Sequence, residues 1–381
     1  LLLLVRGDLE TELVARFQQL TGPAMAKGAE DTAFYTFNRL ISLNEVGGDP
    51  GRFGVSPLEF HAFAQRIAER WPTTMVTTGT HDHKRGEDVR LRISALSEMP
   101  EAWGAAVRRW FGRNARYRSP AGPDPNLEYL LYQTLVGTWP ISTDRLRAFL
   151  QKAAREAGQH TTWQAPVPEY EEAVADFARG ILSDDAFRAD IEAFIAPIVP
   201  AARVSSLSQT LIKLTAPGAP DTFQGAELWD LSLVDPDNRG PVDYDARRAL
   251  LEWLEHASPA DILGRSEEAA PKLHVMRRAL RLRADRPDLF GPASDYRPME
   301  ARGLRSANLV AFSRGGGAVT VVPRLVLGLG PAPDWGDTTL ALPAGRWQNV
   351  LTGELVNGGD VAVGALLGLF PVALLAQAER S

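Results

Sequence analysis

The sequence predicts an α/β protein with three successive textures: a strand feeding a polar loop, a long helical insertion behind it, and a small antiparallel β domain toward the C-terminal end. Three observations carry this. Thr73-Thr74-Met75-Val76-Thr77-Thr78 is rich in β-branched residues, follows Trp71-Pro72 and ends at Gly79, the pattern of a buried strand entering a loop. From Val89 to Ala196 apolar residues recur at a spacing near 3.6, with Pro and Gly between the runs. From Asn308 onward short β-rich runs alternate with Gly clusters.

Taken in order, Leu9 to Leu20 presents a helical apolar face that Thr21-Gly22-Pro23 should stop, and Pro23 to Gly28 reads as a short strand. Asn44 to Gly51 is a turn-rich loop. Its glycines are followed by no Gly-Lys-Ser/Thr, so an ordinary loop is favoured over a phosphate cradle. Ser56 to Arg70, with Ser-Pro in front of Leu58, Phe60, Phe63 and Ile67, is a capped amphipathic helix. The insertion holds helices at Val89–Leu96, Glu101–Phe111, Leu127–Val136, Asp144–Ala157, Tyr170–Leu182 and Ala186–Ala196. Ser205–Leu214 adds another. A second polar, aromatic and acidic cluster then runs from Asp221 to Asp230 and on to Arg239, followed by helices at Asp243–His256 and Pro271–Asp285. Strands are expected at Leu309–Phe312, Val319–Pro323, Thr338–Leu342 and Leu366–Leu375.

Composition narrows the function classes. The 381 residues, 45% of them hydrophobic, suffice for a real core and for two or three domains. A formal net charge of −6, with Lys and Arg interspersed among acids, leaves no electrostatic footprint for nucleic acid. The absence of cysteine excludes disulfides and thiolate catalysis and fits a cytoplasmic protein. Leu1-Leu2-Leu3-Leu4-Val5 is shorter than the roughly 7–15-residue apolar region of a signal peptide, and no stretch approaches the roughly 18 apolar residues of a membrane span. The opening at Leu1 instead of Met suggests a piece of a longer chain.

The candidate chemistry concentrates in the stretch Thr77 to Asp88. Polar residues at the carboxyl end of a strand are where barrel and open α/β enzymes keep their sites. His81 and His83, two apart, would share a face in an extended segment and could ligate a metal, but no third ligand at metal spacing accompanies them. A Ser-His-Asp triad lacks its Gly-x-Ser-x-Gly elbow. Asp82 with the basic residues behind it could accept hydrogen bonds from the vicinal hydroxyls of a sugar. Lys84 to Asp88 could equally be a solvated helix start whose acids favour the dipole. Nine Trp and seven Tyr add flat faces for sugar rings, though most aromatics serve the core.

Beyond local chemistry, three ordered stretches carry a resemblance. Thr80-His81-Asp82 with Lys84-Arg85-Gly86-Glu87-Asp88-Val89-Arg90 is one; Gly22 to Tyr35 with Asn38-Arg39-Leu40 and Leu43 to Pro50 is the second. Ala216 to Asp221 with Leu228 to Arg239 and Pro241-Val242-Asp243-Tyr244 is the third. Together they resemble the maltooligosyl trehalose synthases of the α-amylase clan, from about Phe17 to Tyr244 and more loosely to the C-terminus.

The resemblance implies the later part of a (β/α)8 TIM barrel with a helical insertion and a C-terminal antiparallel β domain. Residues 1–92 would hold barrel strands six and seven, 93–204 the insertion, 205–292 the end of the barrel and 293–381 the β domain. It implies an intramolecular transglucosylation that turns the reducing-end α-1,4 bond of a maltooligosaccharide into an α,α-1,1 bond. Asp82 would be the clan's third carboxylate, with His81 on the same sugar and Lys84 and Arg85 holding the released glucose. Lys27, Tyr35, Gln224, Glu227 and Trp229 would line the pocket. The nucleophile and general acid would lie upstream, in a missing barrel half, and no cofactor or metal is called for. Maltooligosyl trehalose trehalohydrolase would be the functional partner. A non-catalytic carbohydrate-binding remnant and a glucan hydrolase of the same clan are the alternatives.

Overall fold

The computed structural model describes residues 8–378, so Leu1–Val5 lies outside the described residues. The chain forms two compact units, one of residues up to Phe53 with Glu101–Glu192, the other of Gly54–Pro100 with Ala193 onward.

The first unit is helical. Its helices include Asp8–Met25, Pro100–Asn114, Pro125–Thr138, Thr143–Ala157 and Pro168–Ser183. Pro125–Thr138 is the central one: eleven of its residues, from Leu127 to Thr138, are buried, so its sequence is apolar on every side and shows little amphipathic contrast. Around it Trp110 packs edge-on against Phe187 at 5.7 Å and tilted against Tyr132 at 5.4 Å. The helix starts cleanly because Asp124 accepts from the amides of Asn126 and Leu127, and Pro125 occupies the first turn.

The start of this unit departs from expectation. Helix Asp8–Met25 runs through Thr21-Gly22-Pro23 without stopping, and Ala26–Ala33, expected to begin as part of a strand, is a π-helix. The reason is hydrogen bonding: a strand needs a neighbour for its backbone, whereas this segment satisfies itself locally, with Thr32 Oγ1 donating to the Lys27 carbonyl at 2.8 Å.

The second unit is built on two sheets. β1 (Met75–Val76) and β2 (Ala219–Pro220) form a two-stranded parallel pair, in register Met75 to Ala219 and Val76 to Pro220. The strand is much shorter than Thr73–Thr78 and only half-buried. Exposure alternates along it, Met75 standing 74% exposed, because a pair of strands covers one face only. Ser56 caps helix Pro57–Arg70 as expected, its hydroxyl accepting from Glu59 N at 3.2 Å while the Glu59 carboxylate accepts from Ser56 N at 2.8 Å.

The larger sheet is antiparallel and seven-stranded. Its strands are β3 (Tyr296–Met299), β4 (Ala301–Arg302), β5 (Leu309–Arg314), β6 (Ala318–Pro323), β7 (Thr339–Asn349), β8 (Leu355–Ala362) and β9 (Ala373–Gln377), in the order β3-β5-β6-β9-β7-β4 with β8 against β7. The expected Leu366–Leu375 strand is cut down to β9, since Val363–Leu366 forms a helical turn. Both faces of β5 and β6 are buried. Val310, Phe312 and Val322 face the helices Ile198–Thr215 and Ala270–Asp285, whereas Leu309, Ala311, Val319 and Val321 face Trp335, Leu340 and Trp347. That is why these strands read as continuous apolar runs without polar alternation.

Candidate active site at the ends of the parallel strands

The parallel pair brings the two polar stretches of the sequence together. Ala219 N donates to Thr74 O and Asp221 N to Val76 O, each at 2.8 Å, so the loops that follow β1 and β2 leave from the same end. Gly218 permits this approach. It has φ +114°, and a Cβ there would sit 2.9 Å from the Thr74 carbonyl.

A second seam joins the loops beyond the strands. Arg85 and Leu233 form an antiparallel bridge, and Gly86 N donates to Ser232 O at 2.8 Å. Asn238 Nδ2 donates to the carbonyls of His81 and His83, both at 3.3 Å, and Arg239 donates to His81 O from Nε at 3.3 Å and Nη2 at 3.2 Å. Gly86 is sterically required, because a Cβ would fall 2.5 Å from Asp230 O.

Within this seam Asp82 reaches solvent, its side chain 52% exposed, while Lys84 is 3% exposed and holds its Nζ 4.0 Å from Asp82 Oδ1. His83 Nδ1 accepts from Thr80 N at 3.0 Å and lies 2.8 Å from Thr80 Oγ1, so the ring braces the loop. His81 is exposed beside Asp82, and Arg85 is buried at 1% exposure.

Under the loop lies a cluster of buried charges. Lys272, fully buried, places Nζ 2.6 Å from Glu87 Oε1 and 2.8 Å from Asp88 Oδ2, and donates to Leu228 O at 3.0 Å. Glu87 also accepts from Thr78 Oγ1, two residues beyond β1, and Asp88 Oδ2 accepts from Asp230 N at 2.7 Å. Burial alone would raise the Glu87 carboxyl, but the ammonium groups of Lys272 and Lys213 and the hydrogen bonds from Lys272 and Thr78 prevail and hold it down at about 2. Lys213 goes the other way: burial lowers its pKa, and Lys272 adds to the effect. The cluster fastens the loop after β1, the segment Leu228–Asp230 and helix Ala270–Asp285 to one another.

The remaining expected pocket residues divide between the two units. Trp229 is anchored by its indole N–H on Ser266 O at 2.7 Å, with Lys272 Nζ and the Arg203 guanidinium each 5.8 Å from its ring centre. Glu227 accepts from Arg247 Nε at 3.1 Å, and Gln224 is exposed. Lys27 and Tyr35 belong to the helical unit, where Lys27 Nζ lies 2.7 Å from Glu156 Oε2 and Tyr35 is 3% exposed. Among the described residues, no group of three or more His, Asp or Glu could hold a metal ion.

Glu87, Asp88, Lys213 and Lys272 carry site architecture that sequence reasoning did not single out. Glu87 and Asp88 read equally well as a solvated helix start. A signal existed at Lys272: it lies three and four residues before Val275 and Met276, on an apolar helix face where a lone ammonium needs buried acids.

No protein-family model matches the chain. Two curated proteins of Mycobacterium tuberculosis strains, each named "Putative maltooligosyl trehalose synthase", are 40% identical to it over 373 residues, covering 96% of this chain and 46% of theirs. The maltooligosyltrehalose synthase of Arthrobacter ramosus is similar in structure, with TM-score 0.88, 42% identity, and coverage of 97% of this chain and 47% of that one. A crystal structure of another maltooligosyl trehalose synthase gives TM-score 0.81 at 29% identity, over 95% of this chain and 47% of that chain. The chain thus spans about half the length of the relatives it matches.

Proposed function

We propose, from this kinship with maltooligosyl trehalose synthases, that the chain is the later part of such an enzyme and supplies one of the three carboxylates of an intramolecular transglucosylation. In this reading β1 and β2 are the seventh and eighth strands of a (β/α)8 barrel, whose polar loops leave from the carboxyl ends, where such barrels keep their chemistry. Residues 1–92 contribute strands six and seven, 93–204 the helical insertion, 205–292 the barrel's end and 293–381 the β domain.

The observation that carries the reading is the seam between the two loops, which leaves Asp82 open to solvent with the Lys84 ammonium 4.0 Å away. Asp82 would accept hydrogen bonds from hydroxyls of the sugar whose bond breaks. Those bonds tighten as the ring flattens toward an oxocarbenium ion, so they lower the barrier and not merely the ground state. His81 binds the same sugar. Lys84 keeps the released glucose in place so that its anomeric hydroxyl, instead of water, attacks the glycosyl intermediate, whereas Arg85, 1% exposed, holds the seam from inside and does not reach the sugar. Retaining chemistry needs two further carboxyl groups roughly 5–5.5 Å apart across the bond, and these come from the upstream barrel half. Gln224, Glu227 and Trp229 shape the pocket on the second unit. The substrate is a maltooligosaccharide and the product passes to maltooligosyl trehalose trehalohydrolase.

The test uses the complete enzyme that contains this chain, incubated with maltopentaose. The parent is expected to convert reducing ends to non-reducing product, and Asp82→Asn to lose that conversion with its unfolding midpoint unchanged. Retention of activity in Asp82→Asn removes it from the catalytic set. Release of glucose and shorter maltodextrins with no rearranged product sinks the mutase reading and leaves the glucan hydrolase.

A further inference from the structure

Residues Asp235–Arg239 form one short 3-10 turn in the loop that follows β2. Asp235 opens it at φ +62°, a left-handed conformation that residues with a Cβ rarely adopt and that persists where the surrounding structure fixes it. Contacts at both ends of the turn hold it. Asp237 Oδ2 accepts from Leu233 N at 2.7 Å, which ties the turn to the bridge between Leu233 and Arg85, and Asp235 Oδ1 lies 3.4 Å from Arg239 Nη2.

The strained turn delivers its donors to one place. Asn238 Nδ2 and Arg239 Nε and Nη2 converge on the carbonyl of His81, and Asn238 Nδ2 also reaches the carbonyl of His83, so the main chain is held on either side of Asp82. The amide of Asp82 donates to Thr80 Oγ1 at 3.3 Å. Its carboxylate has the Lys84 ammonium at 4.0 Å, beyond hydrogen-bond length, and is half exposed. The direction of that carboxylate is therefore set by the main chain from 81 to 83 more than by contacts of its own oxygens.

A group that stabilises a transition state must be held to a fraction of an ångström, and a misplacement of about 1 Å costs rate on the order of a hundredfold. We infer that Asn238 and Arg239 are positioning residues for Asp82, which aim its carboxylate through the carbonyls of 81 and 83 and touch no sugar themselves. The inference rests on the reading of Asp82 as one of the carboxylates of the transglucosylation. Arg239 Nε and Nη2 point at the same oxygen, so what the site needs there is a donor to His81 O and not a planar fork, and an ammonium in the guanidinium's place can still serve.

The test is steady-state kinetics of the complete enzyme on maltopentaose, followed by the loss of reducing ends. Arg239→Met keeps the stem and removes both donors, so kcat should fall about tenfold to a hundredfold while KM stays within about twofold of the parent. Its unfolding midpoint should not move, since the side chain is half exposed. Asn238→Ala should lower kcat in the same way, and Arg239→Lys should recover most of what Arg239→Met loses. The sharpest comparison adds Arg239→Met to Asp82→Asn: a residue that works only through the Asp82 carboxylate should lower the residual rate of Asp82→Asn by less than about twofold. An Arg239→Met variant with the parent's kcat, a rise in KM with kcat kept, a fall in the unfolding midpoint that accounts for the lost rate, or a full loss repeated on the Asp82→Asn background would each overturn the positioning role. Asp82→Asn with the parent's activity sinks the catalytic reading and this inference with it, whereas an inactive Asp82→Asn beside a fully active Arg239→Met sinks the inference alone.

Discussion

Lys272 Nζ lies 2.6 Å from Glu87 Oε1, and neither side chain is more than 2% exposed. With Asp88 at 2.8 Å, one buried ammonium contacts both carboxylates directly and ties together the segments that frame Asp82. Removing one member leaves the others charged and unpaired. Lys272→Met should therefore cost about 3–5 kcal/mol, read as a fall in the urea midpoint. Lys272→Met combined with Glu87→Gln and Asp88→Asn, which removes charge on both sides, should recover much of that loss. A triple variant no more stable than the single one would show that packing, not charge, sets the cost.

Acid should weaken the second unit in two stages. His274 is held down at about 4 because burial penalises its charged form, so the unfolded chain binds its proton first. Its contribution is complete above its unfolded value near 6.5 and is lost as the pH falls from there toward 4. Glu87, held at about 2, contributes above its unfolded value near 4.5 and loses that contribution between 4.5 and 2, a loss on the order of 3 kcal/mol. Unfolding free energies measured across pH 7 to 2 check both stages, and in Glu87→Gln the lower one should shrink.

Glycine substitutions should separate the seam from ordinary helix. Gly86→Ala places a Cβ 2.5 Å from Asp230 O, so the loops must part, at a cost of roughly 1–3 kcal/mol. Gly22→Ala, in helix Asp8–Met25 with no atom within 4 Å of the new methyl, should stabilise the helix by roughly 0.5–1 kcal/mol. Thermal unfolding of the two variants gives opposite signs if the reading is right.

Lys84→Met should retain the fold's packing through its buried stem and lose the ammonium beside Asp82. In the complete enzyme, the ratio of hydrolysed to rearranged product should rise several-fold as water competes with the released glucose. An unchanged ratio would take Lys84 out of that role.

Much of this architecture was legible, and the physics explains where it was not. The helices were readable because one buried face imposes a 3.6 period, and Ser56-Pro57 marked a start that the structure completes with a capping box to Glu59. The loops at Thr77–Asp88 and Asp221–Arg239 stood out by polarity, yet nothing in either announced that they meet. Their union depends on backbone donors such as Gly86 N and on the Gly218 approach, which no pattern of side chains encodes. The expected strand at Pro23–Gly28 failed because strand formation needs a neighbour, a tertiary fact. Lys272 was overlooked because its two acids lie 184 and 185 residues away in the sequence.

Asn238 and Arg239 grip the carbonyls of His81 and His83, never their imidazoles. The clasp is therefore blind to which amino acids occupy those positions. Position 81, exposed and free of any duty to the seam, can be saturated in a library while Asp82 keeps its place, so the surface beside that carboxylate can be retuned without rebuilding the frame that presents it.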